Sequence, residues 1–406
     1  MMANNLFAVI VAACVVLVVV AAYLWWRHRH HQQHHYPHEA HGERSRHRPF
    51  LRERAMARRT ASSRKRAAVT QVAGHEAEPY PSGQSVTGMV PDSPVLAKVA
   101  PQKSAEEKGV VQRLHELAEH GDMEAQFTLA RLYHKGEQDV LRDDEQALKW
   151  LRMAADQGHP MAQLNLGRIY YSGKHLERND LEAIHWFSRS AYQGNALARF
   201  ELGAMYLEGR GVGQSYAEAL HWFRMAAEQG EPRAQFNLGL MFHSGRGVQR
   251  DPGAALHWSR KAAEQGDARA QNLLGLFYKQ GVGTEVDLAE AVKWYRLAAE
   301  QGNSAAQFSM GVMFEKGEGV ERDEEEAIRY YLRAAVQGEV MAQFNLGVMY
   351  AKGRGVAKDL VQAYVWLNRA AQREQNLARF CTLVTKQMSP EQVAQADEMV
   401  RNGRPR

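Results

Sequence analysis

Two cysteines in 406 residues, Cys14 and Cys381, are too few for a disulfide framework. Their scarcity fits a reducing compartment. Acidic side chains are nearly missing from one stretch: residues 27–66 hold 12 Lys+Arg against 3 Asp+Glu, so the formal net charge of +5 is a local property. The remainder, 39 basic against 43 acidic residues, is slightly acidic. Aromatic side chains are also sparse in that basic stretch, which argues against nucleic acid as its partner, because stacking has little to work with. Nowhere does the sequence group Ser, His and Asp, and no glycine-rich turn is followed by the Lys-Ser/Thr of a nucleotide loop. These absences point away from catalysis, and no cofactor is implied.

One apolar run stands out. Leu6 to Trp26 is 21 residues without a charge, enough at about 1.5 Å per residue to cross a hydrocarbon core of roughly 30 Å. Tyr23, Trp25 and Trp26 at its end suit a membrane interface. A secretory signal is the rival, since Val20-Ala21-Ala22 resembles a small-residue cleavage site. The preceding Met-Met-Ala-Asn-Asn, however, has no Lys or Arg, and the positive charge follows the run. The expectation is a transmembrane helix at 6–26 in an inner (cytoplasmic) membrane, with residues 1–5 outside and the remainder in the cytoplasm.

Residues 27–105 carry Pro37, Pro49, Pro79, Pro81, Pro91, Pro94 and Pro101 and show no helical periodicity, which predicts a disordered tether. Its basic residues, Arg44 through Arg66, would each gain about 1 kcal/mol beside an anionic lipid surface. His28, His30, His31, His34 and His35, followed by His38 and His41, are the weak metal candidates. No carboxylate or thiolate geometry is enforced around them, so a solvated linker is the favoured reading.

The rest of the chain repeats. Gly158, Gly194, Gly230, Gly266, Gly302 and Gly338 stand 36 residues apart, with Gly121 one residue further back. A fixed period of this size signals a helical solenoid, in which stacking supplies the core. In each unit a first helix places Ala, Leu and an aromatic residue on one stripe, as Ala234, Leu238 and Phe242 do. Gly167, Gly203, Gly239, Gly275, Gly311 and Gly347, with Ala130 in the first unit, mark a point of close helix approach. The second helix opens on Asp143, Asn179, Ser215, Asp251, Asp287, Asp323 or Asp359. Gln or Glu three residues later, everywhere but after Asp251, predicts a capping box. Further on come Trp150, Trp186, Trp222, Trp258, Trp294, Tyr330 and Trp366, expected in the core. Gly-x-Gly-Val turns such as Gly209 to Val212 read as helix C-caps.

These columns resemble the Sel-like repeat family, the Sel-one branch of tetratricopeptide-like repeats, over about residues 109–402. The resemblance rests on Ala-Gln, Leu-Gly, Gly-x-Gly-Val, Ala-x-x-Trp, Ala-Ala and Gln-Gly recurring in that order. It implies an all-α, right-handed solenoid of about seven two-helix repeats at 106–375, with capping helices at 376–406. It implies an adaptor that binds other proteins rather than an enzyme. The alternative is an array that binds or processes envelope material, which requires the repeats outside the cytoplasm.

If Ala, Leu and Tyr/Phe form the buried stripe, the opposite stripe lies three and six positions after each Ala. It supplies the candidate partner-binding residues Thr128, Arg131, Asn165, Arg168, Glu201, Asn237, Leu240, Leu276 and Asn345. Asn could hold a peptide backbone and the apolar members its side chains. The competing reading has Leu240, Leu276, Val312 and Val348 completing packing between repeats. His185, His221 and His257 are expected to face solvent.

Overall fold

The computed structural model describes residues 105–402 apart from position 139. The tail at 1–5, the span expected at 6–26, the histidines at 28–35 and the linker up to 104 lie outside the described residues. Among the described residues no helix is long and apolar enough to cross a membrane.

These residues form 17 α-helices and no strand. A leading helix α1 (Ala105–Glu119) precedes seven pairs: α2 (Met123–Lys135) with α3 (Asp144–Asp156), and α4 (Pro160–Ser172) with α5 (Asp180–Tyr192). Then follow α6 (Ala196–Glu208) with α7 (Tyr216–Glu228), α8 (Pro232–Ser244) with α9 (Pro252–Glu264), and α10 (Ala268–Gln280) with α11 (Leu288–Glu300). The array closes with α12 (Ser304–Lys316) and α13 (Glu324–Val336), then α14 (Val340–Lys352) and α15 (Leu360–Arg373). A short 3-10 turn, Gln375–Leu377, leads to α16 (Ala378–Thr385) and α17 (Pro390–Arg401).

The punctuation predicted for the helices is present. Each first helix ends on a glycine in the left-handed region, Gly136, Gly173, Gly209, Gly245, Gly281, Gly317 or Gly353, with φ between 66° and 72°. All seven second helices have the expected cap, whose side chain accepts backbone N–H bonds of the first turn, as Asp287 does from Ala289 and Glu290 at 3.0 Å. The reciprocal half of the capping box is not made in the repeats. Each cap residue instead gives its own N–H to a carbonyl of the preceding helix, Asp143 to Tyr133 and Asp287 to Tyr278, both at 2.9 Å. The same bond recurs at Asn179, Ser215, Asp251, Asp323 and Asp359. With that donor taken, the Glu or Gln side chain is released to other partners: Glu290 accepts from Trp294 Nε1 at 2.9 Å. The full box forms at Ser389 and Gln392, where α17 starts.

The recurrent glycine is a packing residue. A Cβ on Gly275 would lie 2.7 Å from the Tyr295 ring, and one on Gly311 would lie 2.6 Å from the Tyr331 ring. The residue that receives it follows the Trp column: Leu151, Phe187, Phe223, Ser259, Tyr295, Tyr331 and Leu367, all essentially inaccessible. Trp150, Trp186, Trp222 and Trp366 are buried as expected, while Trp258 and Trp294 are half-buried.

A ladder of amides joins the repeats. Gln126, Gln163, Gln235, Gln271, Gln307 and Gln343 donate to the carbonyl of an alanine eight residues back, in α1 for Gln126 and in the preceding second helix for the others. Five of them accept at 2.7 Å from the glutamine that closes their own repeat: Gln157, Gln193, Gln265, Gln301 and Gln337. Arg199 stands in the series once, donating through Nε to the Ala191 carbonyl at 3.1 Å. Buried amides thus satisfy one another along the stack.

Candidate partner-binding face

The first helices carry the candidate stripe on neighbouring turns of successive repeats. Its polar members sink deeper than the sequence pattern implies: Thr128, Arg131, Asn165, Glu201 and Asn237 are buried. Arg168, Leu240, Leu276 and Asn345 are half-buried. Each first helix meets its own second helix on one side and the neighbouring repeat on another, so a stripe opposite the Ala-Leu-aromatic face is still covered.

Charge on this face is internally matched. Arg168 donates through Nη2 and Nε to Glu201 Oε1 at 2.7 and 3.1 Å, linking the second repeat to the third. Arg233 lies 3.9 Å from the same oxygen, donates to Glu231 at 2.7 Å, and places its guanidinium 4.4 Å from the centre of the Phe200 ring. Asn237 Nδ2 is held by the Arg233 carbonyl at 2.8 Å.

Other polar atoms of the stripe are unsatisfied. Thr128 Oγ1, Arg131 Nε, Asn165 Nδ2 and Asn237 Oδ1 are buried and have no hydrogen-bond partner among the described residues. Thr128, Asn165 and Asn237 hold the same position in the first, second and fourth repeats, and Arg131 lies three residues further along α2. The apolar members do different work. Leu240 and Leu276 pack against the cluster around Phe236, Leu273 and Phe277, and Val312 and Val348 pack on the clusters of the last two repeats. These contacts cover one side of Leu240 and Leu276 and leave both half-buried.

His185, His221 and His257 are exposed, each edge-on to the Trp that follows it at 5.2 to 5.3 Å. Among the described residues one trio of possible metal ligands converges, His134, Asp144 and His175.

The Sel1 repeat model matches seven times, at 124–159, 160–195, 196–231, 232–267, 268–303, 304–339 and 340–374. The chain belongs to the Sel1 repeat family. Every match spans one helix pair, so the structural unit and the sequence unit coincide. Two solved Sel1-type structures are similar to it. One is a protective antigen present in uropathogenic Escherichia coli strains and displaying an SLR fold, 31% identical with a TM-score of 0.55, over 72% of this chain and 70% of that one. The other is a Sel1 repeat protein from Oxalobacter formigenes, 34% identical with a TM-score of 0.56, over 70% of this chain and 82% of that one. No curated protein matches the sequence. Sel1 repeat arrays generally mediate protein–protein interaction.

Proposed function

We propose that this Sel1 repeat protein is a membrane-tethered scaffold whose first-helix face holds other proteins. The observation that carries the reading is the seven-repeat Sel1 array itself, whose first helices keep Arg168, Leu240, Leu276 and Asn345 half-buried along one stripe. An extended peptide laid along this stripe meets the half-buried residues first, because Thr128, Arg131, Asn165 and Asn237 are covered by the array. Arg168, Leu240, Leu276 and Asn345 then border the peptide and contact its side chains.

The tether is the uncharged run at 6–26, and the basic stretch at 27–66 supplies both the topology signal and attraction to anionic lipid. The repeats thereby stand in the cytoplasm of a cell with an inner membrane. Tethering works by concentration: a partner held near the bilayer meets other membrane-bound components without any additional contact.

Two experiments test this. A topology reporter fused after Arg406 is active in the cytoplasm under this reading; activity on the far side moves the array outside and favours the envelope-binding alternative. Capture of partners by the full-length chain from detergent-solubilised membranes is expected to fall with Asn345→Lys and Leu276→Glu. It should be retained with Tyr192→Glu, an exposed position on a second helix. Equal capture by all three variants, with circular dichroism unchanged, removes the first-helix face as the binding surface.

A further inference from the structure

At the corner where an inter-helix turn meets the preceding repeat, a carboxylate in the first turn of the second helix collects cations. Asp180 accepts from Arg178 and from Arg210, each at 2.9 Å. Glu324 accepts from Arg354 at 2.8 Å and from Arg322. Arg210 and Arg354 are the middle residues of the next repeat's Gly-x-Gly turn, so the ion pair clips one repeat to the next.

The corner between the first and second repeats is built from different chemistry. The turn reads Gly173-Lys174-His175, with lysine for arginine and histidine for the second glycine. In the repeats that keep that glycine, Gly211, Gly247, Gly283, Gly319 and Gly355 have φ between 64° and 71°. His175 adopts φ 65° as well, a region that L side chains avoid. A Cβ at the equivalent Gly211 would fall 2.8 Å from the Asp180 carbonyl oxygen, at the start of the preceding second helix. At this corner the helix start is Asp144. His175 Nδ1 lies 3.8 Å from Asp144 Oδ2, and His134 Nδ1 lies 3.2 Å from Asp144 Oδ1. One ligand atom from each of the three residues falls within 4.8 Å of the other two.

We propose that His134, Asp144 and His175 form a binding site for a divalent ion of the zinc class, which replaces the guanidinium found at the equivalent corners and clips the first repeat to the second. Two imidazoles and one carboxylate are ligands that Zn²⁺, Co²⁺ and Ni²⁺ share, and three protein ligands leave a position for water. Tetrahedral ligands at about 2.0–2.1 Å from zinc stand about 3.4 Å apart; His134 Nδ1 is 3.2 Å from Asp144 Oδ1, near that spacing, while the 3.8 Å approach of His175 Nδ1 is to the other carboxylate oxygen, Oδ2. The histidine pair closes the remaining distance by side-chain rotation, which the partial exposure of both rings permits. Arg142 donates to Asp144 Oδ2 at 3.0 Å and holds the carboxylate so that Oδ1 is presented to the ion. A strained backbone at a histidine, where five other repeats use glycine, has its counterpart in the ligand it places.

The test uses the full-length chain with His28, His30, His31, His34, His35, His38, His41, His47 and His75 changed to Ala, which removes the competing imidazoles before α1. Titration with Co²⁺, followed by its visible absorption, is expected to show one saturable equivalent with the spectrum of a low-coordinate nitrogen and oxygen site. Zn²⁺ should displace it and raise the thermal midpoint. His175→Asn keeps a side chain tolerant of the left-handed backbone, and His134→Ala removes the other imidazole; each should weaken Co²⁺ binding tenfold or more. His175→Gly restores the residue used by the other repeats, so it should raise the metal-free midpoint while abolishing the response to Zn²⁺. Absence of a Co²⁺ band in the parent, or a band unchanged in His175→Asn, overturns the site.

Discussion

At the residue scale, close approach and charge burial decide what each position tolerates. Gly275→Ala would put a methyl group 2.7 Å from the Tyr295 ring. The helix gains about 1 kcal/mol in propensity, while overpacking costs about 1–3 kcal/mol. The expected result is a net loss of stability, read as a lower denaturant midpoint. Gly109→Ala in α1 meets no atom within 4 Å, so the same substitution there should stabilise by about 0.5–1 kcal/mol. Arg168→Ala strands Glu201, which is 5% exposed, with Arg233 3.9 Å away as its remaining cation. A loss of about 1–3 kcal/mol is expected by chemical denaturation, and Glu201→Gln in the same background should recover part of it. The glycine column was legible because glycine is costly in a helix and recurs. Its receiving column was not: Leu, Phe, Ser, Tyr and Leu share no chemistry, and a residue beside a tryptophan does not announce that it lies deeper. The depth of the polar stripe was hidden in the same way, since periodicity marks one apolar face and cannot show that neighbouring repeats cover the opposite one.

At the element scale, the helices carry their own start and stop signals, which is why their order and pairing could be read from a 36-residue spacing. The capping box could be read only in half. Whether a cap's backbone N–H is free depends on a carbonyl about nine residues earlier in another helix, and at Ser215 that carbonyl belongs to Tyr206. The difference is measurable. Ser215→Ala should cost about 1 kcal/mol, the usual loss for an N-cap, because its hydroxyl accepts from Glu218 N at 3.2 Å. Glu218→Ala should stay within about 0.5 kcal/mol, the range of an ordinary surface change. Equal losses in urea unfolding would restore the reciprocal bond.

At the scale of the whole molecule, repeats are held by buried columns, an amide ladder and carboxylate corners. The corners make the stack sensitive to acid. Hydrogen bonds from Arg178, and then Arg210, hold Asp180 below its ordinary value of 3.8; Arg354, and then Arg322, hold Glu324 below 4.5. A depressed carboxylate pKa means that the folded state favours the ionised form. The contribution is therefore complete above those ordinary values and is lost as pH falls through the lower folded ones. The thermal midpoint should drop below about pH 4, and Glu324→Gln should make that drop shallower. Calorimetry across the range reads both. The metal-ligand trio at the first corner escaped the sequence because its members come from a helix end, a helix start and a turn of the next repeat, 10 and 31 residues apart. What the sequence did display was the irregular turn itself.

Photocrosslinking from the full-length chain in the cells that produce it addresses the central claim most directly. A photoreactive residue is placed in turn at Arg168, Leu240, Leu276 and Asn345 on the first helices, and at His185, His221 and His257 on the exposed side of the second helices. The expected result is adducts with other proteins from the first group and few from the second. Adducts confined to the histidine positions would contradict a partner held along the first-helix face.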